Sequence, residues 1–201
     1  MRNDPKLKDF IKIYDGVLPA NFSKEIIDNF EKMSEHHELS KVGSSENTKN
    51  EYRQAIEMNC SICSDEDKPW QGIISILNNI AMEYQKKYIK DIGVKHIPYS
   101  RVLEEWRMHR YDKGEHFYKS HVDSENSESS NRMLAFLFYL NDVESGGQTA
   151  FTDHLDGITC KPALGRLLIF PTWFGFPHEA KLVIEGTKYM IKTFVHYPGD
   201  T

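Results

Sequence analysis

Several things are scarce or missing in this chain, and each absence narrows the reading. Cysteine occurs three times, at Cys60, Cys63 and Cys160. That is too few for a disulfide framework. The pair in "CSIC" has no second cysteine pair or close histidine to complete a zinc site, so the thiols read as reduced and structural, with a redox role as the minority reading. Long apolar runs are missing too. No stretch approaches the ~18 residues of a membrane span, and the opening "MRNDPKLKDFIKIYDG" lacks an apolar signal-type core. The expected location is cytoplasmic, with no membrane partner. There is no surplus of positive charge: 25 Lys and Arg stand against 30 Asp and Glu, a net charge of -5. Nucleic acid is thereby excluded as the main electrostatic partner. Internal repeats and regular strand–helix alternation are absent as well, which disfavours a parallel α/β fold.

The 201 residues suffice for one structural domain with a sizeable core. The pattern changes near residue 95. In residues 1–95 a short strand around Ile11 and Ile13 precedes a helix with Phe22, Ile26, Ile27 and Phe30 on one stripe. "KVGSSENTKNE" reads as a polar loop, and the 40–55 region as a candidate lid. "DEDKPWQGIISILNNIAMEYQKKYI" reads as a long amphipathic helix, acidic at its start and basic near its end, with Ile73, Ile76, Leu77, Ile80 and Tyr84 at helical spacing. In residues 96–201 about eight strand-like runs follow, separated by glycine-marked turns. The expected fold is α+β: a double-stranded β-helix, or jelly roll, with N-terminal helices packed on one face.

Two short stretches offer a histidine and an acid two residues apart, "HVD" at His121–Asp123 and "HLD" at His154–Asp156. Such pairs arise readily by chance among nine His and thirteen Asp. Their surroundings differ. His121 and Asp123 end a strand-like run, where alternation points residues two apart into one cavity. His154 and Asp156 lie in "TDHLDG", which is turn chemistry, so this pair reads as a decoy. Two ligands hold a metal weakly. Two His and one carboxylate on one face of an octahedron suit non-haem Fe(II), and His178, alone in "TWFGFPHEA", is the candidate third ligand.

"HVD", "FLFYLNDVESGGQTAF", "GRLLIF", "PHEA" and "GTKYMIKTFVHY", in that order from about Tyr111 to Tyr197, resemble the 2-oxoglutarate- and Fe(II)-dependent dioxygenases of the prolyl 4-hydroxylase type. "IKIYDGVLPANFSKEII" is similar to that family's opening strand and helix. The resemblance implies that His121, Asp123 and His178 hold Fe(II). It implies that Lys188, ten residues beyond His178, binds the far carboxylate of 2-oxoglutarate, with Lys192 as the fallback. It places Tyr111 and Tyr139 around the same cosubstrate. O2 is the oxidant, and ascorbate is the candidate reductant.

The implied activity is hydroxylation of a C–H bond, on a prolyl residue of a peptide or protein. The retained ligand Asp123 argues against halogenation. Trp173, with Phe174 and Phe176 nearby, and Arg107 and Arg53 are candidates for the substrate rim. Three other readings stay open. They are the same chemistry on a free amino acid or another small molecule, an inactive jelly-roll binding module, and a cupin-like protein using another metal.

Overall fold

The computed structural model describes residues 5–40, 52–64 and 67–198. It is a mixed structure, mostly antiparallel strands with few helices. The strands in chain order are β1 (Lys12–Tyr14), β2 (Glu38–Leu39), β3 (Arg53–Gln54), β4 (Ile56–Asn59), β5 (Arg107–Tyr111), β6 (Phe117–His121) and β7 (Arg132–Tyr139). They continue with β8 (Ser145–Gly146), β9 (Thr149–Phe151), β10 (Thr159–Cys160), β11 (Leu167–Pro171), β12 (His178–Ala180), β13 (Val183–Glu185) and β14 (Lys188–His196). The helices are α1 (Ala20–Lys32), α2 (Cys60–Cys63) and α3 (Lys68–Ile92).

One sheet has the order β1-β11-β7-β14-β5-β4-β2 and another the order β10-β9-β12-β6-β3, while β13 and β8 form a small pair. The larger sheet draws β1, β2 and β4 from before residue 95. Its inner strand β7, between β11 and β14, explains the apolar run "RMLAFLFY". Leu134, Phe136 and Phe138 face one way, into a core shared with α1 and α3. Ala135, Leu137 and Tyr139 face the other way, into a second core that also takes Phe151 and Phe176. A strand buried on both faces has no polar side to alternate with.

The helices follow their end signals. Asp67 caps α3 by accepting from the Trp70 amide at 3.0 Å, Pro69 sits in its first turn, and Gly93 closes it in the left-handed conformation, φ 68°. Phe22, Ile26 and Phe30 of α1 are buried as the spacing predicts, with Ile27 half-buried. The stripe on α3 is rotated from the expected one. Trp70, Ile73, Leu77, Ala81, Gln85 and Tyr88 are buried, and Ile76 is exposed. Trp70, Leu77 and Ala81 belong to the core shared with the sheet, so the buried stripe runs through an alanine and a glutamine and leaves Ile76 outside it.

The polar 41–51 stretch, and with it most of the proposed 40–55 lid, lies outside the described residues. The residues just beyond it enter the sheets as β3 and β4, which sequence pattern alone did not reveal. "HEAKLV" divides into two strands, β12 and β13. No helix among the described residues is long and apolar enough to cross a membrane. All three cysteines are buried.

Candidate active site

The site forms where β6 and β12 lie side by side. His121, the last residue of β6, pairs directly with His178, the first residue of β12. Their ring centroids are 4.3 Å apart. Asp123 lies two residues past His121, and its turn is held from behind. The Asp123 carbonyl accepts from Arg132 Nη1 at 2.8 Å, and the Ser124 amide donates to the Thr172 carbonyl at 3.1 Å. Asp123 Oδ1 is 3.7 Å from His121 Nε2, and Oδ2 is 3.5 Å from His178 Nε2. One ligand atom from each of the three lies within 4.8 Å of the others.

The orientation of these groups suits a cation. His121 Nδ1 donates to the Lys119 carbonyl at 2.8 Å and His178 Nδ1 to the Phe176 carbonyl at 3.1 Å. Each bond fixes the tautomer that leaves Nε2 with a lone pair facing Asp123. Burial pushes His178 down to about 4, so its ring is neutral at ordinary pH. Burial alone would raise the Asp123 carboxyl, but His178 and His121 outweigh it and hold the group well below the usual range. Asp123 Oδ2 is buried with no hydrogen-bond partner among the described residues. A buried carboxylate oxygen in that state is costly unless something cationic meets it. Two imidazole nitrogens and a carboxylate on one side of a point fit Fe(II), leaving the other side open. The rings are held by Tyr118, stacked on His121 with centroids 3.4 Å apart, and by Phe170, edge-on to His178 at 4.6 Å.

The larger sheet supplies the facing wall. Along β14, alternation turns Lys188, Met190, Lys192 and Phe194 to the inner side. Lys188 pairs in register with Tyr111 of β5, and Lys192 with Arg107. Lys188 is fully buried. Its ammonium donates to the Gly147 carbonyl at 3.1 Å and lies 3.8 Å from the Tyr111 ring centroid. No carboxylate pairs with it among the described residues, and burial pushes it down to about 7. Tyr111 and Tyr139 are buried beside it in the inner core, with the Tyr139 hydroxyl 2.7 Å from Thr149 Oγ1.

A cavity of about 630 Å³ opens over Asp123. Arg53, Arg107 and Lys192 line it, together with residues that sequence reasoning missed: Glu57, Tyr118 and Arg132. Arg107 Nη1 is 2.9 Å from Glu57 Oε1, and Arg53 pairs with the same carboxylate. Burial would raise Glu57, yet His109, Arg53, Lys192 and Arg107 together hold it at about 2. His109 is fully buried next to this group, 3.5 Å from Glu57 Oε2. The alternation of Arg53, Ala55 and Glu57 in "YRQAIEMN" was the available signal for this wall. It was obscured by the polar stretch before it.

Trp173 is placed elsewhere. It lines a separate hollow of about 270 Å³ with Leu7, Phe10 and Tyr197. Phe176 is buried beneath it, and Phe174 is 81% exposed. His154 and Asp156 take no part in either wall. His154 Nε2 donates to the Gly175 carbonyl at 3.2 Å, and Nδ1 is 3.0 Å from Thr152 Oγ1. Asp156, at φ 59°, forms a surface pair with Lys8 at 2.6 Å.

Residues 106–196 match the family model described as the 2OG-Fe(II) oxygenase superfamily. Among solved structures, the chain is similar to a prolyl hydroxylase from Trichoplax adhaerens, determined in complex with a hypoxia inducible factor oxygen degradation domain peptide fragment. That likeness has 18% identity, a TM-score of 0.74, and coverage of 94% of this chain and 84% of that one. A prolyl-4-hydroxylase from Pseudomonas putida follows at 17% identity and TM-score 0.64, covering 94% and 93%. The viral collagen prolyl hydroxylase of Paramecium Bursaria Chlorella virus-1, in its 2OG complex, has 17% identity and TM-score 0.64, covering 92% and 95%. At these identities the likeness is one of fold. None of the curated proteins matches the chain.

Proposed function

We propose that this chain, a 2OG-Fe(II) oxygenase that uses Fe(II), 2-oxoglutarate and O2, hydroxylates a prolyl residue in a peptide or protein. In this reading the two larger sheets are the halves of a double-stranded β-helix. Residues 96–201 carry the metal ligands and most of the strands, while residues 1–95 add the helices together with β1, β2 and β4 in the larger sheet and β3 in the smaller. The observation that carries the reading is the convergence of His121 Nε2, His178 Nε2 and the unpartnered Asp123 Oδ2.

His121, Asp123 and His178 hold the iron. Lys188 takes the distal carboxylate of 2-oxoglutarate, giving up its contact with the Gly147 carbonyl for an anion that a buried ammonium otherwise lacks. Tyr111 and Tyr139 wall the same pocket. When bound, iron and cosubstrate supply the conversion of C–H to C–OH, with O2 consumed and 2-oxoglutarate released as succinate and CO2. The protein's part is to hold three ligands on one side, keep the cosubstrate tail dry, and present the open side to the cavity lined by Arg53, Arg107 and Tyr118. A peptide substrate is supported by the size and openness of that cavity, and by the peptide seated in the Trichoplax neighbour.

The test is succinate formation in the presence of Fe(II) and ascorbate, with and without proline-containing peptides. Peptidyl-proline is expected to stimulate turnover and to gain one oxygen atom by mass. Stimulation by a free amino acid, with every proline peptide inert, would replace this reading with the small-molecule alternative.

A further inference from the structure

Six glutamates, Glu35, Glu38, Glu57, Glu104, Glu125 and Glu128, line the cavity over Asp123 together with four cations, Arg53, Arg107, Arg132 and Lys192. The cations decide where an anion could sit. Three of them are matched by carboxylates. Arg53 and Arg107 share Glu57. Arg132 grips Glu104 through Nε at 2.7 Å and Nη2 at 2.6 Å. Lys192 differs. Among the described residues no carboxylate lies within ion-pair distance of its ammonium, which sits 5.1 Å from the Phe194 ring centroid. The anion it feels most is Asp123, and the oxygens of Asp123 face His121 and His178.

Resting on the function proposed above, we infer that Lys192 binds a carboxylate of the substrate, close to the carbon that is hydroxylated. Its place in β14 supports this. Lys192 stands four residues from Lys188 on the same strand face, ~13 Å along the backbone, and the two ammoniums look into different spaces. Lys188 is sealed over Tyr111, whereas Lys192 lines the open cavity with Asp123. With Asp123 committed to the metal and Glu57 shared by Arg53 and Arg107, Lys192 is left without an ion-pair partner among the described residues. Such a group favours an anionic guest over a neutral one of the same shape. The carboxylate has two sources: an Asp or Glu side chain next to the target residue, or the α-carboxylate of a free or C-terminal target residue.

Two ligand pairs separate these sources. One is acetyl-Pro-Asp-amide against acetyl-Pro-Asn-amide. The other is L-proline against L-prolinamide. Affinities are measured by calorimetry on the full chain loaded with Mn(II) and 2-oxoglutarate, for wild type and Lys192→Met. The carboxylate member of one pair is expected to bind about tenfold more tightly to wild type, where a factor of ten is ~1.4 kcal/mol. The preference is expected to vanish in Lys192→Met while 2-oxoglutarate affinity holds. A preference in the peptide pair identifies the side-chain source, and in the proline pair the α-carboxylate. No charge preference in either pair, or a preference that survives Lys192→Met, overturns the inference. So does a tenfold loss of 2-oxoglutarate affinity in the variant, because that would make Lys192 a cosubstrate ligand. Succinate formation with the same ligands is read separately. A charge preference without turnover on any proline ligand breaks the prolyl reading and leaves the carboxylate site at Lys192 standing.

Discussion

"HVD" and "HLD" differ by one apolar side chain, yet they end in opposite physical situations. In the first, the histidine closes a strand paired with β12 and β3 and is its one buried residue, and the acid follows into a turn held by Arg132 and Thr172. Its Nδ1 is used and its Nε2 is not. In the second, both ring nitrogens are within hydrogen-bond distance of local partners, and the acid lies at the surface against Lys8 with a left-handed backbone. The lesson is that a ligand motif is defined by what remains unsatisfied after folding. Asp123 keeps a buried oxygen without a hydrogen bond among the described residues. Asp156 is exposed and paired.

The strongest way to break the comparison is to remove each histidine in turn. His121→Ala and His178→Ala are each expected to weaken Mn(II) or Fe(II) binding by at least ~100-fold, more than the effect typical of an outer-shell partner, and to abolish succinate formation. Metal titration by calorimetry checks this. Retention of full metal affinity in either variant would end the assignment of "HVD".

A second, smaller effect sharpens it from the facing wall. Lys188→Met is expected to raise the 2-oxoglutarate requirement roughly 30-fold or more, from the ~2–5 kcal/mol at stake in a buried charge pair, with Mn(II) affinity unchanged. The same lysine gives a pH dependence. Its free ammonium is pushed down to about 7 by burial, and an anion favours the protonated form. Wild-type 2-oxoglutarate affinity should therefore be full below about 7 and fall as pH rises past it, by up to about tenfold per unit. In Lys188→Met this loss should be absent. The smallest effect belongs to the decoy. His154→Ala is expected to leave metal binding intact and to change stability by no more than about 1 kcal/mol, the scale of its hydrogen bonds. A dead His154→Ala enzyme would reverse the comparison.

Much of this was legible in the sequence because it is local. The caps of α3, the double-sided apolar run of β7 and the strand-end position of His121 all show within a dozen residues. What escaped depends on pairing across long separations. Glu57 gains its meaning only when β4 lies against β5 and brings it to His109 and Arg107. β2 and β3 are two-residue strands with no periodicity to detect. Trp173 looked like a rim residue from its place five positions before His178. The turn carries it to a different hollow, a matter of backbone direction that composition does not encode. The larger sheet likewise draws β1, β2 and β4 across the change of texture at residue 95.

Strand β14 is hydrogen-bonded on both sides, to β5 and to β7, and so behaves as a rigid ruler. Both inner lysines are graduations on it, their common facing set by the even offset between the two positions. Deleting or inserting one residue between them would turn one ammonium outward to the helices while the other kept its place. Re-engineering of this enzyme toward new guests should therefore alter side-chain length at position 192 and leave the strand's register alone.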